Sequence, residues 1–165
     1  MNGTRIIKHL TMTHWHVNRY FPGTVLTAIE NSIRLAEKTH SGEICFALEG
    51  ALHTRSLFMG QTARERAIEV FSQLRVWDTE HNNGVLIYLL LADRDVEIVA
   101  DRGIDLKVGK QGWEDICRKM EDAFRQRHYQ QGVISGINAV AEQLARYFPA
   151  SGVNHNELPD RPVIL

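Results

Sequence analysis

The chain has 165 residues, 19 lysines and arginines against 20 aspartates and glutamates, and a formal net charge of −1. That length suits one domain able to bury its own core without disulfide or metal support. A balance so near neutrality argues against a phosphate-backbone binder, which needs a clustered positive face, so no nucleic-acid partner is expected. Only Cys45 and Cys117 occur, both in apolar segments, and they read as small core residues of a reducing compartment. The first residues lack an apolar core of signal-peptide length, and no apolar run reaches the ~20 residues of a membrane-spanning helix. The expectation is a cytoplasmic protein without a transmembrane segment.

Residues 4–18 carry Ile6, Ile7 and Leu10 at helical spacing, interrupted by polar and β-branched residues. Residues 1–20 are accordingly expected as an N-terminal helical extension, residues 21–149 as an α/β domain, and residues 150–165 as an irregular tail. Phe21-Pro22-Gly23 breaks the first segment. From Thr24, an N-cap residue type, Leu26, Ile29, Ile33 and Ala36 recur on one face while Glu30 and Arg34 sit four apart on another. This helix stops at Thr39-His40-Ser41-Gly42.

Residues 43–48, EICFAL, predict a buried strand, and residues 49–60 a polar loop. Thr62 to Glu65 spells a capping box, after which Ala67, Val70, Phe71 and Leu74 give a helical stripe. The apolar run 84–92 is greasy enough to require cover on both faces, which places it in the middle of a sheet. Asp93-Arg94 supplies a tight turn, and residues 95–100 alternate as a half-buried strand. Residues 104–108, with Ile104, Leu106 and Val108 alternating, read either as a short extension of that strand or as an ordered loop. Trp113, Ile116, Cys117, Met120 and Phe124 mark a further helix; Val133, Ile137, Val140, Leu144 and Phe148 mark the last, ended by Pro149. The tail has no periodicity and is either disordered or pinned as a strap.

A strand, a helix and a second buried strand predict a right-handed parallel crossover. The fold class is then α/β: a three-layer sandwich whose mixed central sheet, a parallel β-α-β unit plus an antiparallel hairpin strand, has helices on both faces. Chain direction brings residues 40–43, residues 78–83 and residues 101–105 to one edge. Glu43, Asp78, Asn83, Asp101 and Asp105 there are ligand types that calcium or magnesium accepts, and Arg102 and His40 are candidates to hold a substrate phosphate. The same residue types serve equally as helix caps, turn formers and a structural Asp/Arg pair. The opposite edge offers a competing polar cluster in Glu49, His53, Arg55, Asp93, Arg94 and Asp95.

His14-Trp15-His16 has a spacing that directs both imidazoles to one side of a strand, but no third ligand lies nearby in sequence. G-x-G-x-x-G, the P-loop, G-x-S-x-G and H-E-x-x-H are all absent, so no nucleotide or organic cofactor is expected.

The segments HSGEICFAL, HNNGVLIYLLLADRDVEIVADRGID, the helix opened by Gly112-Trp113, and FPASGVNHNELPD together resemble the TPM domain family, over roughly residues 20 to 160. The likeness is narrower still to its small bacterial branch without a signal peptide. Glu43, Asn83, Asp101 and Gly103 fall on the family's motif positions. The resemblance implies a three-layer α/β domain and several activities: acid phosphatase in plant members, divalent-cation binding in others, and scaffolding in photosystem-associated ones. The leading expectation is a binding or assembly module for an unknown, membrane-associated or other, protein partner, with a divalent cation at the rim. The alternatives are a metal-assisted phosphomonoesterase at the same place and a peripheral partner of a membrane protein that uses residues 14–21 as an exposed aromatic patch.

Overall fold

A computed structural model describes residues 3–150 and 156–165. Among the described residues, seven helices surround one four-stranded sheet. The strands are β1 (Glu43–Glu49), β2 (Gly84–Leu90), β3 (Asp95–Ala100) and β4 (Val163–Ile164), ordered β3-β2-β1-β4. β1 and β2 run parallel from Glu43↔Gly84 to Glu49↔Leu90, β3 returns antiparallel along β2, and β4 lies parallel to β1. The helices are α1 (Gly3–Thr11), α2 (His14–Tyr20), α3 (Gly23–Ala36), α4 (Thr54–Phe58), α5 (Ala63–Gln73), α6 (Arg102–Arg125) and α7 (Tyr129–Tyr147).

Every residue of β1 and β2 is buried, as expected of strands covered on both sides. Their side chains divide by parity. Ile44, Phe46, Leu48, Val85, Ile87 and Leu89 pack with buried residues of α3, α6 and α7, whereas Cys45, Ala47, Leu86, Tyr88 and Leu90 pack with α4 and α5. Two cores on opposite faces of one sheet give the three-layer α/β sandwich that periodicity predicts. The capping box at Thr62 forms as written: its hydroxyl accepts from the Glu65 backbone N–H, and the Glu65 carboxylate accepts from Thr62 N at 2.8 Å.

Local expectations differ from the structure in several places. The segment 4–18 is two helices, because Thr13 opens α2 with a capping box to His16. The third helix starts after Pro22 rather than at Thr24. Residues 49–60 are not all loop: Glu49 closes β1, and Thr54–Phe58 is helical with Leu57 buried. Residues 104–108 are neither strand nor loop but the opening turns of α6. Ile104 and Val108 lie four apart and face inward, while Leu106, which suggested alternation, is 83% exposed. Gly109, at φ 73°, kinks that helix. Of the tail expected over residues 150–165, residues 151–155 lie outside the described residues, and residues 156–165 are a strap that runs into β4. No described helix is long and apolar enough to cross a membrane. The aromatic patch does not form as a unit, for Phe21 is 1% exposed and Tyr20 packs on Tyr129, leaving Trp15 alone outside.

Candidate functional site

The edge at which β1 and β2 begin and β3 ends does gather the segments expected there. Asp101 N–H donates to the Gly84 carbonyl at 2.8 Å, Gly103 N–H to Asn82 at 3.0 Å, and the Asn83 amide to the Ser41 carbonyl at 3.1 Å. A methyl group at Gly103 would stand 2.5 Å from the Asn82 carbonyl oxygen and 2.9 Å from that of His81, so only glycine lets the 78–83 loop press against the start of α6.

Individual side chains at this edge have separate tasks. Glu43, 1% exposed, turns toward the strap, where its two oxygens accept the backbone N–H groups of Glu157 and Leu158 at 3.2 Å each. Burial pushes its carboxyl up to about 7 despite those two donors. Asn83 is buried and also receives no solvent role, since its N–H donates to the Thr79 hydroxyl. Asp105 accepts from the Trp113 indole at 2.9 Å. Asp101 caps α6 through one oxygen, which accepts from Arg102 N at 2.7 Å; its other oxygen, Oδ2, is buried without a hydrogen-bond partner among the described residues. Asp78 is exposed, as is Arg102, whose guanidinium makes no ion pair among the described residues. His40 is fully buried, with Nδ1 3.0 Å from the Gly42 carbonyl oxygen, and burial lowers it to about 4.

Among the described residues, no three His, Cys, Asp or Glu side chains stand together in a way that could hold a metal ion. The five expected ligands therefore share an edge without forming one chelating cluster. Nearby stand the unpartnered Asp101 Oδ2 and, against Gly103 two residues further on, the His81 and Asn82 carbonyls.

Beside Glu43 stands a carboxyl group that pattern reading missed. Glu37, just past the end of α3, accepts Ile44 N–H at 3.1 Å and feels the charge of Asp160 in the strap. Burial first, then the Glu43 and Asp160 charges, raise it to about 8. Its place outside the apolar stripe of α3 gave no signal, because its partners come from β1 and the strap.

The opposite edge holds a second polar network. Glu49 accepts from the Tyr88 hydroxyl and from Arg66 Nε, each at 2.8 Å. Asp93 meets Arg5 at 2.8 Å and His9 Nε2 at 3.1 Å, and Leu52 N–H donates to His9 Nδ1 at 3.0 Å. That bond leaves the imidazole proton on Nε2, facing the carboxylate. Arg5, His9, Arg66 and Tyr88 were not legible as a group, since four distant segments supply the network. His53 and Arg55 are exposed. Asp95, crowded by burial, Glu97, Glu121 and Asp93, is raised to about 6.

A mixed sheet between two helical layers, with the Asn-Gly start of its central strand locked to a glycine in the next helix, defines a class of small α/β domains. The profile of the TPM domain matches residues 19–143, and this chain belongs to that family. The structure is similar to that of the BA42 protein of the psychrophilic bacterium Bizionia argentinensis, with 33% identity, a TM-score of 0.75, and coverage of 86% of this chain and 92% of the other. It also shares its fold with the N-terminal domain of a P. gingivalis protein, at 20% identity and a TM-score of 0.55, over 74% of this chain and 76% of that domain. A comparison with curated proteins finds no match.

Proposed function

We propose that this chain is a TPM-type binding module whose strand-start edge takes a calcium or magnesium ion at Asp101. The carrying observation is the buried, unpartnered Asp101 Oδ2, because a carboxylate oxygen hidden from water is costly unless something positive faces it. Asp78 and Asp105 stand as outer groups that lower the potential, while Glu43 and Asn83 hold the edge together. A set with one inner carboxylate binds weakly.

The phosphomonoesterase alternative draws on the same edge, where a bound cation supplies an activated water and Arg102 holds phosphate. It has less support: the Ser41 hydroxyl is engaged with the Phe148 carbonyl at 3.4 Å, and His40 is sealed from solvent.

Amide chemical shifts titrated with calcium and with magnesium test the proposal. Saturable shifts at residues 78–83 and 101–105 are expected in the native chain and are lost in Asp101→Asn, which keeps the helix cap. Shifts elsewhere only, or shifts indifferent to the substitution, refute the site. Cation-dependent release of phosphate from an aryl phosphate that disappears in Asp101→Asn would move the assignment to the enzyme.

A further inference from the structure

Opposite the acidic edge, the molecule carries the other sign of charge. A groove of about 900 Å³ runs between α2, the end of α6 and the start of α7. Arg19, Lys119, Arg127 and His128 line it, and Glu142 is its one carboxylate. On the outer face of α6, Lys110, Arg118 and Arg125 each have an acidic partner three or four residues away. Lys119 and Arg127 have none among the described residues. Arg19 instead lies over the Trp15 ring, 5.1 Å from its centroid.

The aromatic lining is built rather than incidental. Tyr129 is 5% exposed, stacks on Phe124 at 5.3 Å and meets the Tyr20 ring at 4.7 Å. The Arg94 charge acts on the Tyr129 hydroxyl, and a second concavity of about 240 Å³ beyond the two tyrosines adds Lys8, His16 and Arg94. Arg94 and Arg127 both adopt positive φ, 55° and 64°. Non-glycine residues seldom occupy that region; these are two of the four described residues that do, with Arg75 and Asn82, and both arginine charges act on the Tyr129 hydroxyl. Asp93, the nearest acid on the β2–β3 turn, is already neutralised by Arg5 at 2.8 Å.

We infer that this groove binds a small organic phosphate, with the phosphoryl group held by Arg127, Lys119 and Arg19 and a ring laid against Tyr20, which Tyr129 backs from the core side. A concave surface lined by one sign of charge concentrates the opposite ion. Arginine suits a tetrahedral oxyanion because its fork donates in pairs, and the part-exposed Tyr20 ring offers flat apolar area beside it. This site lies at the far end of the sheet from Asp101 and does not depend on a cation there.

Phenylphosphonate, which cannot be hydrolysed, is the probe, titrated into the full chain in phosphate-free buffer and followed by amide shifts. Saturable shifts at Tyr20 and residues 127–131 are expected. Lys119→Ala should weaken binding about tenfold, the size of one lost charge-assisted contact, and Glu142→Gln should tighten it; both residues are exposed, so neither change disturbs the core. Phenol should bind far more weakly. Inorganic phosphate should also bind more weakly, and equal affinity would overturn the role given to the tyrosines. No saturable shifts in the groove, indifference to both substitutions, tight phenol binding, or shifts gathered around Arg102 instead would overturn the assignment.

Discussion

At the scale of single residues, the buried polar groups are more decisive than the apolar ones. Tyr88 is fully buried in the middle of β2, and its hydroxyl shares the Glu49 carboxylate with Arg66. Burial and the adjacent carboxylate hold that phenol far above its ordinary value. Tyr88→Phe removes one donor but leaves Glu49 paired with Arg66, so urea denaturation should record a loss of about 1 kcal/mol. Glu49→Ala strands the buried hydroxyl and leaves Arg66 with Glu69 alone, and should cost about 2 kcal/mol. Equal losses would mean that Arg66 alone does not satisfy Glu49. Gly84 is decisive in another way: a methyl group there would meet the Val76 carbonyl oxygen at 2.0 Å, which explains why the central strand opens with Asn-Gly.

At the scale of elements, the strap is tied down by groups that titrate near neutrality. Glu37 at the end of α3 and Glu43 in β1 face Glu157 and Asp160, and Arg34, itself paired with Glu30, reaches Asp160 at 3.3 Å. Their carboxyls are raised from 4.5 to about 8 and about 7. The folded chain therefore holds protons that the unfolded chain has released. The stability they contribute is complete below about pH 4.5 and is lost as pH rises through about 7 and 8. His40 acts in the opposite direction: lowered from 6.5 to about 4, its contribution is present above 6.5 and lost as pH falls through 4. Calorimetry should show the melting temperature falling from pH 6.5 to 8.5. Glu37→Gln keeps the acceptor for Ile44 N–H and should flatten that fall; an unchanged slope would remove Glu37 as its source.

Elements also mark where sequence stopped being informative. β1, β2 and β3 were legible because their apolar content and turn residues are local. The first turns of α6 were not, since Ile104, Leu106 and Val108 satisfy a period of two and a spacing of four alike, and the Asp101 cap decides only once β3 delivers it. The strap was illegible for a different reason: Glu43 meets Glu157 from 114 residues away. The shared edge of Glu43, Asn83 and Asp101 followed from chain direction alone, but which carboxylate is already engaged depended on partners with no sequence signature.

At the scale of the whole molecule, a net charge of −1 conceals a local excess of cations in the groove of Arg19, Lys119 and Arg127, beyond the ends of β1 and β2. The shortness of β4 matters at this scale too, for it pairs only with Ala47 and Leu48 of β1. On the other flank, β3 guards its open side with Asp95 and Glu97, whereas β1 has only this two-residue cover. Removing residues 156–165 would leave an unsatisfied backbone ladder beside a greasy strand, a template for a second copy to zip onto. Light scattering of that shortened chain should report twice the monomer mass or larger aggregates, where the intact chain stays single.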